Sequence, residues 1–379
     1  MITGIICEYN PLHKGHKKQL DIVRHADPDG SIVCLMSGNF VQRGMPAIVN
    51  KMARAEAAIK CGADLVLELP VTAALSSAEG FAKVGVSILS PFCDQLCFGA
   101  ETNDKEMLME VAQALLCEKF SLLLKDSLET GVSFPAARQA ALEKLDLDGS
   151  LLSKPNNILA IEYCKAILTQ HSAMQAMPIL RQGNYHDAHA DMQNPSATAV
   201  RNLMLGKHDW KSCVPAEGIS SLDGQPLHHI SFGEKAILAK LRTMSDADFE
   251  ALPYGSEGLW RKLMHAARCK SALEDILDET KSKRYTRTRL DRMVMCAFLG
   301  ITEEIMNTQV PYVRVLAFND KGRQILKEAK LHADFVNIGQ RMEHTYQALE
   351  DRCGTLYGLF SQEPELPDAE QNYRVYYNK

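Results

Sequence analysis

The sequence predicts an α/β fold: a doubly wound parallel sheet over residues 1–210, followed by a mainly helical C-terminal region over residues 211–379. Three observations carry this reading. Short apolar runs recur through the first half with amphipathic stretches between them, the pattern of parallel strands covered by helices on both faces. Small, polar and charged residues gather just after those runs, where open parallel sheets bind ligands. Beyond about residue 205 the apolar spacing becomes helical and strand-like runs nearly cease.

The strands expected are Ile2–Cys7, Ser31–Met36, Ala63–Leu69, Gln95–Phe98 and Met177–Leu180, with helices such as Lys14–His25 and Lys51–Cys61 between them. Four strand ends are followed by Glu8-Tyr9-Asn10, Ser37-Gly38-Asn39, Gly99-Ala100-Glu101 and Arg181-Gln182-Gly183. A polar stretch from Cys213 to Pro226 reads as a linker. Helices over Gly233–Met244, Glu257–Lys270 and Ala272–Lys281 follow, then a late strand, Val313–Phe318, and a helix, Arg323–Lys330. A length of 379 residues suits two domains.

Composition narrows the function classes. Apolar residues make up 46% of the chain, enough for a full core, and a net charge of −5 gives no global sign of nucleic-acid affinity. An RNA site must therefore be a local patch, and neither DNA nor a membrane is an expected partner. No run approaches the roughly 20 apolar residues of a membrane span. Eleven scattered cysteines and no signal-peptide pattern suit reduced thiols in the cytoplasm. Cys93 and Cys97 have no matching His or Cys cluster, so no metal site is expected.

Three motifs carry chemistry. The first is Asn10-Pro11-Leu12-His13-Lys14-Gly15-His16, a turn after the first strand that opens a helix. Gly15 lets a phosphate approach the backbone where unpaired N–H groups and the helix dipole favour anions. His13 and His16, three residues apart, face one side and can stabilise charge as pyrophosphate leaves an ATP α-phosphate. The second is Ser196-Ala197-Thr198-Ala199-Val200-Arg201, in which Ser196 caps a helix and Thr198 and Arg201 share a face able to grip β- and γ-phosphates. The third runs from Lys281 to Arg292 and places six basic residues among twelve positions, with Tyr285 available to stack on a base. Weaker features are the Ser37–Gly44 loop, the helix start Pro155-Asn156-Asn157, and Tyr185-His186-Asp187; Trp210 and Trp260 read as packing residues.

Together these residues resemble the bacterial tRNA(Met) cytidine acetate ligase family, within the nucleotidylyltransferases that carry a His-x-Gly-His turn. The matching segments are Glu8 to His16, Met36 to Arg43, Cys97-Phe98-Gly99, Pro155 to Leu159, Tyr185-His186-Asp187, Ser196 to Arg201 and Lys283 to Leu290. The resemblance implies a nucleotidylyltransferase-like domain followed by a helical tRNA-binding part. It implies activation of acetate by ATP to acetyl-adenylate, then acetylation of N4 of the wobble cytidine of elongator tRNA(Met), with Mg²⁺ accompanying ATP.

By position, His13 and His16 would be catalytic. ATP would be held by Cys7, Glu8, Tyr9, Asn10, Pro11, His13, Lys14, Gly15, His16, Gly99, Asn156, Asn157, Arg181, Gln182, Ser196, Thr198 and Arg201. Ser37, Gly38, Asn39, Gln42 and Arg43 would form a substrate loop, and Lys281, Lys283, Arg284, Tyr285, Arg287, Arg289 and Arg292 would meet tRNA. Leu12 stands where the family usually has an aromatic residue, and Cys7 where it has valine. Two other readings stay open on the residues alone. One is a small-molecule adenylyltransferase of cofactor biosynthesis; the other is a non-catalytic RNA-binding protein gated by ATP.

Overall fold

The computed structural model describes residues 1–181, 194–282, 285–331, 333–367 and 369–379. Its strands are β1 (Ile2–Cys7), β2 (Ser31–Ser37), β3 (Phe40–Val41), β4 (Met45–Pro46), β5 (Leu65–Leu69), β6 (Gln95–Ala100), β7 (Gln175–Leu180), β8 (Val313–Phe318), β9 (Phe335–Asn337) and β10 (Tyr376–Tyr377). The main sheet runs β10-β8-β5-β2-β1-β6-β7, with β9 also on β8. From β5 to β7 all pairings are parallel, and Gly4 lies opposite Val33 while Ile5 lies opposite Cys34. The interior of β2, Ile32 to Ser37, is buried throughout. A strand covered on both faces needs such an unbroken apolar run rather than alternation.

Helices cover both faces. On one, α1 (Lys14–Ala26) and α2 (Lys51–Lys60) pack Leu20, Val23, Ala55, Ala58 and Ile59 against Ile5, Cys34, Met36 and Val66. On the other, α3 (Ala78–Leu89) and α4 (Pro155–Thr169) pack Phe81, Val86, Ile161 and Tyr163 against Ile6, Val33, Leu35 and Phe98. The Ile5/Ile6 alternation along β1 thus feeds two separate cores. Further on come α5 (Ala197–Leu205), α6 (Arg287–Leu299) and α7 (Thr345–Tyr357). A third core joins α6 and α7 to the helices Glu234–Thr243, Leu259–Cys269 and Leu273–Thr280.

Several expectations change. The sheet is mixed, because β8 runs antiparallel to β5 while β9 and β10 run parallel to β8. The division at residue 210 therefore does not enclose the sheet: the later half supplies three of its strands. The Cys213–Pro226 stretch is no linker. It holds the helix Ala216–Leu222, and Cys213, Val214 and Leu222 are buried with Ala57 and Val200. Gly218 allows this approach, since a Cβ there would lie 3.3 Å from Cys61 Sγ. Helices Lys105–Ala114, Glu118–Glu129 and Phe134–Glu143 fill the chain between β6 and α4. The Ser37–Gly44 loop contains β3 and the turn that leads into its antiparallel partner β4.

A buried charge cluster joins the two halves. Lys51 on α2 pairs with Glu68 on β5 at 2.9 Å and with Glu370. Arg314 on β8 meets Glu68 at 2.9 Å, Glu370 at 3.1 Å and Glu350 on α7 at 3.3 Å. Tyr312 donates to Glu350 at 2.8 Å. Burial pushes Glu350 up to about 7 despite the pull of Arg314. Removing one member of such a set leaves an uncompensated buried charge, at a cost of about 3–5 kcal/mol. No described helix is long and apolar enough to cross a membrane.

Candidate active site

The first strand ends in the turn that builds the site. His13, in extended conformation, is the N-cap of α1, and its Nδ1 accepts from Gly15 N–H at 3.1 Å. The His13 N–H in turn donates to His16 Nδ1 at 3.3 Å. This reciprocal cap satisfies two helix-end donors. It also fixes both rings: with Nδ1 accepting, the ring proton sits on Nε2. The imidazoles stack with centroids 3.7 Å apart. His13 is 2% exposed, and its Nε2 is buried with no hydrogen-bond partner among the described residues.

Both rings are neutral. Burial, aided by Arg181 and Arg201, lowers His13 to about 3. Burial, then His13 and Arg181, drive His16 well below its usual range. The pair therefore offers two N–H donors rather than positive charge. An orphaned buried donor beside a helix N-terminus suits an anionic oxygen.

Two arginines bring positive charge to the imidazoles. Arg201 on α5 donates to Asn10 O at 2.8 Å and to Thr198 Oγ1 at 2.9 Å, so the Thr198/Arg201 face meets the β1 turn. Ser196 caps α5 through Ala199 N–H at 3.0 Å. Arg181, at the end of β7, donates to Asn156 Oδ1 at 3.0 Å. Asn156 is held in turn by Glu101, whose carboxylate accepts from Asn156 Nδ2 at 2.6 Å and from Asn157 N–H at 2.7 Å. Glu101 thus caps α4, a partnership that the asparagine pair alone did not reveal. A Cβ on Gly99 would lie 2.9 Å from Arg181 Cγ, so glycine there leaves room for the arginine to lie across the strand end.

The hairpin β3–β4 forms the other wall. Gln42 N–H donates to Glu8 Oε1 at 2.8 Å, and Ile48 N–H to Asn10 Oδ1 at 2.7 Å. Beneath it lies Arg54 on α2, fully buried, a residue that sequence reasoning missed. Its guanidinium donates to Val49 O at 2.9 Å, Glu8 O at 2.6 Å, Ser37 O at 3.0 Å and Gly38 O. It pins the ends of β1 and β2 together. The only sequence signal was its place amid the alanines of Lys51–Lys60, which marks a packed face.

These parts enclose one cavity of about 680 Å³, in the range of small-molecule sites. Cys7, Glu8, Tyr9, Asn10, His13, Gly15, His16, Gly99, Asn156, Arg181, Ser196, Thr198 and Arg201 line it, as do Gln42 and Arg43. Pro11, Lys14 and Asn157 do not, and Asn157 is fully buried. Ser37, Gly38 and Asn39 also lie off the cavity. The carbonyls of the first two hold Arg54, and Asn39 Oδ1 accepts from Lys51 N–H at 2.9 Å. Gln182 and the Tyr185-His186-Asp187 triplet lie outside the described residues.

The basic stretch abuts this wall. Arg292 donates to Gln42 O at 3.5 Å, and a Cβ on Gly44 (φ +74°) would lie 2.4 Å from Arg292 N. Lys281 is exposed. Arg287 is engaged by Glu274 and Asp291, each at 2.8 Å, and Arg289 by Tyr254 O at 2.7 Å and by the Tyr285 ring at 4.9 Å. Lys283 and Arg284 lie outside the described residues.

Comparison with known proteins agrees with this geometry. The family model described as HIGH Nucleotidyl Transferase matches residues 1–372. A tRNA(Met) cytidine acetate ligase of Clostridium novyi is 38% identical, covering 87% of each chain. One from Alkaliphilus metalliredigens is 35% identical over 100% of this chain and 99% of its own. The crystal structure of apo Thermotoga maritima TmcAL superposes with a TM-score of 0.90 at 28% identity, covering 99% of both chains. That enzyme bound with alpha-thio ATP gives a TM-score of 0.88. The chain belongs to the HIGH nucleotidyl transferases and, among them, to the tRNA(Met) cytidine acetate ligase family.

Proposed function

We infer that this chain is an ATP-dependent acetate ligase that forms N4-acetylcytidine at the wobble position of elongator tRNA(Met). An acetate oxygen attacks the ATP α-phosphorus, the bond to the β-phosphate oxygen breaks, and pyrophosphate leaves. The cytidine N4 then attacks the acetyl carbonyl of acetyl-adenylate, AMP departs with the bonding electrons, and N4 loses a proton. Activation is needed because acetate is a poor acyl donor, and both steps suit one cavity that shields the intermediate from water.

The observation that carries the reading is the convergence of the stacked neutral imidazoles, Arg181 and Arg201 on one cavity whose hairpin wall rests on the basic helix α6. His13 and His16 donate Nε2–H to α-phosphate oxygens. Thr198 and Arg201 hold the pyrophosphate portion. Mg²⁺ bound to the nucleotide would draw its ligands mainly from phosphate oxygens and water. Among the described residues, no three His, Cys, Asp or Glu side chains are gathered to hold it.

The test is ATP–pyrophosphate exchange with and without acetate, together with mass spectrometry of tRNA. Acetate-dependent exchange is expected, and His16→Ala abolishes both exchange and N4-acetylcytidine. Exchange that ignores acetate would overturn the acetate assignment and favour a small-molecule adenylyltransferase.

A further inference from the structure

The transfer step needs a group to take the N4 proton, and the described residues leave one suited to it. His13 and His16 are excluded because each Nδ1 accepts a cap hydrogen bond while Nε2 already carries the proton. Cys7 and Tyr9 line the cavity, but burial keeps both protonated. Arg43, Arg181 and Arg201 are cations. Asp21, ion-paired with Lys17, and His25, whose Nδ1 meets Asp21 O at 2.6 Å, lie about two and three turns down α1 from the imidazole pair.

Glu8 differs. It follows β1 and lines the cavity together with Ile6, Phe81, Phe98 and Tyr163. The rings of Phe98 and Tyr163 lie 5.4 Å apart, and aromatic walls of this kind receive a planar base. Glu8 is fixed at both ends: Arg54 grips its carbonyl at 2.6 Å, and Gln42 N–H holds Oε1 at 2.8 Å. Its Oε2 makes no hydrogen bond among the described residues. A carboxylate oxygen on such a half-buried side chain, in a cavity with aromatic lining, is an acceptor for the exocyclic amine of a nucleobase.

Two amines fit that chemistry, N6 of ATP and N4 of the acceptor cytidine. We propose that Glu8 receives the cytidine N4 amine and serves as the general base of acetyl transfer, an assignment that rests on the ligase reading above. As the N4–acetyl bond forms and the acetyl–AMP bond breaks, the N4 proton passes to Glu8 Oε2 and from there to solvent. The carboxylate also discriminates the base. Uridine presents O4 where cytidine presents N4–H₂, and two facing acceptors repel.

The variant that tests this is Glu8→Gln, which keeps an oxygen for Gln42 N–H but cannot take a proton. Acetate-dependent ATP–pyrophosphate exchange should fall far less than transfer does. Single-turnover transfer from preformed acetyl-adenylate to tRNA should fall about 100-fold or more, the typical worth of a general base. As competitive inhibitor, tRNA(Met) carrying U34 should bind the wild type more weakly than C34 tRNA, and Glu8→Gln should narrow that gap. A matched rise in the KM for ATP would assign Glu8 to adenine N6 and overturn the proposal, as would undiminished transfer. Wild-type protein that exchanges pyrophosphate but never acetylates tRNA would instead refute the ligase reading. Should Glu8→Gln not fold, Glu8→Asp, which keeps the carboxylate but withdraws it by one methylene, should show partial transfer, with exchange reduced less than transfer.

Discussion

Replacing Arg54 with methionine removes the one side chain that binds the ends of β1 and β2 from below. Methionine refills much of the aliphatic volume, so the loss is chiefly of hydrogen bonds. Four carbonyls, those of Glu8, Ser37, Gly38 and Val49, lose their donor together. A buried acceptor left unsatisfied costs about 1–3 kcal/mol, and the low end of that range gives a total of about 4 kcal/mol. The relief of burying a guanidinium offsets part of it, which favours the low end. That is a large share of a typical stability of about 5–15 kcal/mol. Urea unfolding, read as the midpoint shift multiplied by the m-value, measures it. Arg54→Lys, which keeps the charge but not the planar fork, should fall between the two. Because the turn after β1 and the hairpin lose their backbone anchor, the KM for ATP should also rise about ten-fold in Arg54→Met. Stability within about 1 kcal/mol of wild type, with an unchanged KM, would refute the reasoning.

Three further outcomes follow from the site. His13 is held neutral to about pH 3, so the unfolded chain binds the extra proton first as pH falls below about 6.5. The His13 share of stability should therefore drop by about 1.4 kcal/mol per pH unit in that window, and His13→Asn, which keeps a capping side chain, should flatten the slope by that amount in urea titrations at pH 7 and pH 5. Gly99→Ala should displace Arg181, whose Cγ would lie 2.9 Å from the new methyl; exchange kinetics should show a several-fold higher KM for ATP with little change in melting temperature. Lys281→Glu should weaken tRNA binding and reduce its salt slope by about one, while pyrophosphate exchange stays at the wild-type rate.

Much of this architecture was legible because it depends on local pattern. The run Ile2–Cys7 could only be a strand buried on both faces, and Ser196 announced the start of α5. The turn from Asn10 to His16 was readable for the same reason, since capping and phosphate chemistry are written within one helical turn. What escaped was decided by tertiary pairing. Nothing within Val313–Phe318 states that it joins β5, or in which direction. Lys51 resembles a solvent-facing charge until Glu68 and Glu370 are brought around it, and Arg54 until the carbonyls at the ends of β1 and β2 close on it. Arg287 read as one more cation in a basic run, yet the acidic residues Glu274 and Asp291 lie against it. The Cys213–Pro226 stretch looked like a linker from its Gly, Pro and Ser content, but its few apolar residues fill the groove between α2 and α5.

The strand order also bears on how the chain is made. During synthesis β1, β2 and β5 emerge early, and β5 then presents an unpaired edge until Val313–Phe318 follows much later. Exposed apolar edges are templates for aggregation. Over the same interval Lys51 and Glu68 wait for Arg314, Glu350 and Glu370. A nascent chain halted near residue 210 is thus a poor independent folding unit, whatever the completeness of its nucleotide-facing residues. Translation of the later half finishes the sheet as well as adding the basic surface, so the capacity to activate an acyl group is acquired only with the segment that would deliver it to RNA.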